Sequence, residues 1–240
     1  MAAKKAKTTK RRRRTGEPAV AASEVAYVRL VDEIVGGALR PGQRVTEGEI
    51  ARTLKIGKTP AREALRRLVF DRLVTLQPRN GYKIAPVTLH GVEELCGLRL
   101  VVEPAVVAMA AGQLTTQQLA HLRKLAAVGY NATDRPSVGR FLKVNQEFHG
   151  IINSACGNQR LAELVNQLHV ESYRVFQIQL MHYPDSEDHV LLHQHLVEAL
   201  SAGDGSKARK LSEREITTSR HFIMNSLMRS PAVRSVAVGD

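Results

Sequence analysis

Three groups of residues in this 240-residue chain have types and spacings that could do chemistry. Lys58, Thr59 and Arg62, with Arg66 one helical turn further on, make a cationic row, and Arg79 and Asn80 follow it closely. Arginine forks onto guanine O6 and N7, lysine makes a single-point contact, and threonine suits a phosphate or a thymine methyl. That is nucleic-acid chemistry. The second group offers metal donors: Asn145 and His149 lie four apart, and His193 and Glu215 come from later segments. Positions four apart share a helix face, so such side chains on facing helices can converge. Two imidazoles, a carboxylate and an amide oxygen suit zinc, nickel or manganese. The competing reading is a set of ordinary core and surface histidines. His195 falls two residues from His193 and faces elsewhere, while His182, His189 and His221 read as surface or loop positions. The third candidate is Arg99, set in the apolar run RLVVEPAVVAMAA. It either pairs with Glu103 one turn on, or anchors an incoming carboxylate through two parallel hydrogen bonds. Tyr173 could add a hydroxyl to such a site.

The cationic row acts only if elements display it. Residues 23–39 read as a helix with Val28, Val31, Ile34 and Val35 on one face, closed by Gly36-Gly37. Thr46 can cap a second helix carrying Ile50, Ala51 and Leu54. After the turn at 55–58, Thr59 reads as an N-cap and Pro60 as the first helical residue. Ala61, Leu65 and Leu68 then face inward with Val69. Residues 73–76 alternate as a strand, Asn80-Gly81 can supply the two positive-φ positions of a tight hairpin, and 82–85 return. Two short helices, a tight turn and a hairpin make a DNA reader whose second helix enters the major groove and reads bases near its N-terminus. Arg79 and Asn80 sit at the hairpin tip, placed to enter the neighbouring minor groove or meet phosphate.

Beyond Pro86 the pattern is helical almost without a break: 89–111, with Pro104 inside it, then 115–128, 137–155, 159–181, 187–202 and 205–229. The fold class is therefore mainly α: an N-terminal winged helix-turn-helix with a small β-hairpin wing, and a C-terminal antiparallel all-helical bundle. The domains run 1–22 (a disordered basic arm), 23–86, 87–229 and 230–240 (a loose tail). The net charge of +12 is unevenly spread. Residues 1–26 hold eight Lys/Arg against two Glu, 27–86 hold twelve against six acids, and 87–240 hold fifteen of each. The polyanion-binding charge thus stops at the first domain. The arm is either a solubilising tail or a sequence-independent attraction to phosphates. No apolar run is long enough to span a membrane and none follows the basic N-terminus, so a cytoplasmic, nucleoid-associated protein is expected. Cys96 and Cys156 read as reduced thiols.

The run PGQRVTEGEIARTLKIGKTPAREALRRLVFDRLVTLQPRNGYKIAPV resembles the winged helix of the GntR family of bacterial transcription regulators. GLRLVVEPAVVAMAA, VNQEFHGIINSACGNQRLAELV and HQHLVEALSAGD resemble landmarks of the FadR-type C-terminal ligand-binding domain, in the family's order. The resemblance, over roughly residues 25–228, implies DNA contacts from Lys58, Thr59, Arg62, Asn80 and Gly81. It implies an effector pocket near Arg99, and a metal held at the positions of Asn145, His149, His193 and Glu215. The chain departs from the family pattern at Gly48, where Arg is usual, and at Gly57-Lys58, where Ser-Arg is usual. Asn145 replaces the usual Asp ligand, and Glu215 replaces the last His.

The expected protein is a homodimeric, operator-binding transcription regulator, a repressor, with a palindromic operator on double-stranded DNA and a small carboxylate effector. It has no enzymatic role and no membrane partner. Two alternatives stand beside it: a sequence-independent DNA-binding protein, and a metal-dependent hydrolase using His149 and His193. The second lacks a nucleophile elbow and a glycine-rich phosphate loop.

Overall fold

The computed structural model describes residues 17–182 and 187–229. The basic arm ahead of residue 17, the segment 183–186, the tail 230–240 and the His182 side chain lie outside the described residues.

The first helix, α1 (Glu17–Val35), begins before the expected Ser23, so the arm does not extend to residue 22. Pro18 falls in its first turn, where a missing N–H is harmless, and an alanine-rich stretch follows. Its buried face is Ala26, Tyr27, Leu30 and Ile34, whereas Val28 is exposed. The face is rotated from the expected valine stripe because Tyr27 and Leu30 bury more surface. The Tyr27 hydroxyl also donates to Asp71 Oδ2 at 2.7 Å.

Helix α2 (Glu47–Leu54) starts on the expected cap, with Thr46 and Glu49 closing a reciprocal capping box. Lys55, at φ 54°, ends it in the left-handed region. Helix α3 (Lys58–Phe70) is capped by Gly57, which corrects the expectation of Thr59 as N-cap. Pro60 is accordingly the third helical residue, still within the turn whose N–H groups have no helical acceptor. Ala61, Ala64, Leu65 and Leu68 are buried against α1.

The wing carries one strand more than the expected hairpin. Strands β1 (Arg44–Val45), β2 (Val74–Gln77) and β3 (Gly81–Ile84) form an antiparallel sheet in the order β1-β3-β2. Gln77 pairs with Gly81, so the connection is the three residues 78–80, with the Asn80 N–H donating to the Gln77 carbonyl at 3.0 Å. Arg79 and Gly81 take the positive φ values, not Asn80 and Gly81. Pro78 pre-sets the position before Arg79, as such a turn favours. Gly81 is sterically required as well, since a Cβ there would lie 2.8 Å from the Val45 carbonyl oxygen.

Six helices follow: α4 (Leu89–Ala110), α5 (Thr116–Ala126), α6 (Arg135–Ser154), α7 (Gln159–His182), α8 (Glu187–Ser201) and α9 (Gly205–Arg229). Ala110, Leu122, Phe148, Ile152, Leu196 and Leu200 form one core, and Val92, Cys96, Val175, Ile216 and Ile223 another. Both cysteines are free and buried. No helix among the described residues is long and apolar enough to cross a membrane.

Helix α7 carries most of the contact between the two units. Val170 packs on the core of the winged helix, and Gln167 Nε2 donates to the Phe70 carbonyl at the end of α3 at 2.8 Å. The Arg174 guanidinium donates to the carbonyls of Ala85 (2.5 Å) and Pro86 (3.4 Å) in the linker. On α6, Lys143 Nζ reaches Asp32 Oδ2 of α1 at 3.0 Å.

Candidate functional site

On α3 the side chains of Lys58, Thr59, Arg62 and Arg66 are all exposed, and the four positions lie along one flank of the helix. Arg62 is braced: its Nε donates to both Glu47 oxygens, at 2.9 and 3.0 Å, across the turn between α2 and α3. Tyr82 of the wing donates to the same carboxylate at 3.4 Å. The hydrogen bond from Arg62 holds the Glu47 carboxyl below its ordinary value. Glu47 thus ties the row's central cation to both neighbouring elements, which limits the rotamers open to Arg62. Arg67 turns the other way. It pairs with Glu24 at 2.5 Å and lies 3.7 Å over the Tyr27 ring, so it fastens α3 to α1 instead of joining the exposed row. Arg79 and Asn80 stand exposed at the wing tip, and Gly81 is partly covered behind them.

The bundle interior holds a chain of ionisable side chains. Arg99, 3% exposed, donates from Nε to Glu103 Oε1 at 2.5 Å and from Nη2 to Oε2 at 3.1 Å. Its guanidinium also sits 4.9 Å from the centre of the Phe176 ring. The internal pair with Glu103 is therefore formed. On the other side of Glu103, His169 Nε2 lies 3.1 Å from Oε1, off the angle an aligned hydrogen bond requires. Burial acts to raise the Glu103 carboxyl, but Arg99 and His169 outweigh it and bring the value down to about 2. His169 in turn meets the His149 ring edge-on at 5.0 Å between centroids.

His149, His193 and Glu215 then converge. Their donor atoms all lie within 4.8 Å of one another. His149 Nε2 is 3.2 Å and His193 Nε2 3.4 Å from Glu215 Oε1. Burial pushes the Glu215 carboxyl up, and the two imidazoles reverse this and hold it well below its ordinary value. Phe148 stacks on His193 at 4.3 Å and fixes its ring plane. Ligand atoms about 2.1 Å from a tetrahedral ion lie about 3.4 Å apart, so these three can accept a divalent metal with little movement. The same distances serve a metal-free state in which both rings face the carboxylate. Asn145 lines a small cavity together with Glu215, Phe176, Gln179 and Ser219.

Arg99 and Tyr173 do not line that cavity. Tyr173 is buried on α7 and instead borders two clefts between the bundle and α1. The geometry thus brings His149, His193 and Glu215 together, with Asn145 and Glu215 on one cavity lining. His189 is no surface residue: it is half-buried, with its ring 6.2 Å from those of Phe141 and Tyr130. His195 and His221 are exposed.

Two residues escaped the sequence reading. His169 bridges the Arg99 pair to the histidine cluster, and it shares a face of α7 with Phe176, seven positions on, a spacing that was available as a signal. Gln179 is 1% exposed with neither amide atom paired among the described residues, and nothing in its neighbours' types marks it out.

The description "Bacterial regulatory proteins, gntR family" matches residues 22–84, and "FCD domain" matches residues 94–218. A curated relative, the "Nta operon transcriptional regulator" of Aminobacter aminovorans, is 31% identical over 54% of this chain and 61% of its own length. The "HTH-type transcriptional regulator McbR" of Escherichia coli (strain K12) is 31% identical over 56% of this chain, again 61% of its own length. Neither alignment reaches two thirds of the relative. A solved structure of E. coli McbR/YncC superposes with a TM-score of 0.72 at 25% identity, covering 87% of this chain and 99% of that one.

Proposed function

The chain belongs to the gntR family of bacterial regulatory proteins, with an FCD domain behind its winged helix, and from that premise we propose that it is a sequence-specific, operator-binding transcription repressor controlled by a small organic acid. The observation that carries the DNA half is the exposed row Lys58, Thr59, Arg62 and Arg66, with Arg62 braced by Glu47 between α2, α3 and the wing. Arg79, Asn80 and Gly81 add the wing contact. Gly48 and Lys58, where the pattern of the resembled family has arginine, give an operator of this protein's own. A homodimer presenting two such units reads a palindrome, with half-sites about one or more DNA turns apart. Arg62→Ala is expected to lower operator affinity 10- to 100-fold at fixed salt while leaving the unfolding midpoint unchanged. Undiminished affinity in that variant refutes the assignment.

In the sensing half, His149, His193 and Glu215 hold a divalent metal, zinc, nickel or manganese, with Asn145 at the edge of the site. When bound, that ion supplies a positive centre for an effector carboxylate. Arg99 uses Nε and Nη2 on Glu103, and its role in this reading is to set the charge of the wall beside the site. Elemental analysis of protein purified without a metal column, before and after dialysis against zinc, tests the site. Absence of stoichiometric metal in both samples defeats it. Helix α7 offers the route to the DNA unit, because His169 faces the charged chain while Gln167, Val170 and Arg174 grip the winged helix and its linker. An acid that binds better to one arrangement of α7 shifts the operator-competent population by that difference in affinity, and by no more.

The enzyme alternative finds no support in the comparisons, since the relatives are described as regulators. The sequence-independent alternative makes a different prediction, namely no protected palindrome as salt rises.

A further inference from the structure

Between the winged helix and the bundle lies a cavity of about 460 Å³, within the size range of small-molecule sites. Both units line it: Val31 and Val35 from α1, Leu142 from α6, and Tyr173 and Gln177 from α7. Its chemistry is asymmetric. Val31, Val35 and Leu142 give an apolar floor, while Arg135, Arg140 and Lys143, all on α6, give a cationic rim. Among the described residues Arg140 and Lys143 reach exposed partners, Asp134 at 3.6 Å and Asp32, itself on the cavity lining, at 3.0 Å. At depth stand two buried polar side chains, Tyr173 (5% exposed) and Gln177 (9%). The Gln177 Oε1 atom is fully buried and meets no hydrogen-bond partner among the described residues. Burial pushes the Tyr173 hydroxyl up, so it stays protonated and able to donate.

A buried amide calls for a partner. A hydroxyl satisfies Gln177 whichever way its amide is turned, because it both donates and accepts. A carboxylate matches the arginine and lysine rim. The lining on α6 runs from Arg135 to Gln146, about 16 Å along the helix axis, which suits a ligand with its two polar groups at opposite ends. We propose that this cavity is a second ligand site, separate from the histidine–glutamate cluster, and that it takes an amphipathic hydroxy acid: carboxylate at the α6 rim, apolar body on Val31, Val35 and Leu142, hydroxyl at Gln177. Because the floor is built from both units, such a ligand joins α1 to α6 and α7 and fixes how the winged helix sits on the bundle. Its effect on operator binding rests on the regulator reading above; the binding itself does not.

Calorimetric titration of the full chain tests the site without DNA. The probes are 4-(4-hydroxyphenyl)butyrate and 4-phenylbutyrate, which differ only in the hydroxyl. The native chain is expected to bind the hydroxylated acid saturably, one per chain, and at least tenfold tighter than the other. Gln177→Leu removes that preference. Arg135→Glu, an exposed change at the start of α6, weakens both acids at least fivefold, and His149→Ala changes neither. Equal affinity of the two acids for the native chain overturns the proposal, as does an unaltered preference in Gln177→Leu. Loss of binding in His149→Ala with retention in Arg135→Glu also overturns it, since the acid then sits at the histidine cluster. Operator binding measured on the same samples keeps this outcome separate from the fate of the regulator reading.

Discussion

The buried pair Arg99–Glu103 decides how an apolar helix tolerates two charges. Each side chain is nearly inaccessible, and the geometry is bidentate. Such a pair adds little net stability over well-packed apolar residues, yet losing one partner is costly because the other stays buried and charged. Arg99→Ala is therefore expected to destabilise the bundle by about 3–5 kcal/mol, measured by urea unfolding, while Arg99→Met with Glu103→Leu recovers most of that. If the single and double variants match, the charges are not coupled. The pH dependence follows from the same site. The Glu103 carboxyl is lowered from its ordinary value to about 2 in the fold. Its contribution is present in full above the unfolded value, about 4.3, and is lost as pH falls toward 2. The stability gap between the native chain and Glu103→Gln should accordingly be widest above about pH 5 and shrink steadily toward pH 2. A gap independent of pH over that window would count against the assignment.

Among the elements, α7 is where the two units meet. One side of the helix presents His169 to the charged interior, and the next residue, Val170, enters the core of the winged helix. Arg174, one turn beyond, donates to two linker carbonyls and is itself mostly buried. Arg174→Ala leaves those carbonyls without a donor, each worth about 1–3 kcal/mol if it stays buried, and removes the clamp between the units. Scanning calorimetry is expected to resolve two unfolding transitions in this variant where the native chain shows one. An unsplit transition at the native temperature means that α7 does not couple the units. The wing teaches a related lesson about short elements. β1 is two residues long, too short to announce itself by alternation, and it exists because β3 offers it an edge. Gly81 is fixed by that pairing as much as by its own turn.

At the level of the whole molecule, charge is divided between the two units. The excess of Lys/Arg lies entirely within residues 1–86, and residues 87–240 are neutral by count. Nonspecific affinity should therefore come from the arm and winged helix, specific affinity from the α3 row. Replacing Arg11, Arg12, Arg13 and Arg14 by serine is expected to flatten the plot of log affinity against log salt by up to about four units per chain. The ratio of operator to random-DNA affinity should stay within about twofold. A changed ratio would assign the arm a part in sequence reading.

What the sequence determined by itself was the order and type of parts. Periodicity located the six bundle helices to within a few residues and breaks such as Gly112, Gly157 and Gly203 marked their ends, as the cap Thr46 marked the start of α2. The exposed row on α3 and the divided charge were legible because exposure and charge are written in local residue types. Boundaries that depend on what lies opposite were not: Gly57 in place of Thr59 as the cap, Tyr27 in place of Val28 on the buried face, and the turn at 78–80. The spacing offered Arg99 either Glu103 or an incoming carboxylate, and the fold pairs it with Glu103. The tertiary structure alone decided the long-range meetings: His169 joined Glu103 to His149, Glu215 met His149 and His193, and Tyr173 turned to the cleft between the units. The physical reason is range. Helix formation and exposure are set by neighbours three or four residues away, whereas which buried polar atoms meet depends on how helices distant in sequence pack, and that packing fixes both the charged chain and the cavity beside α1.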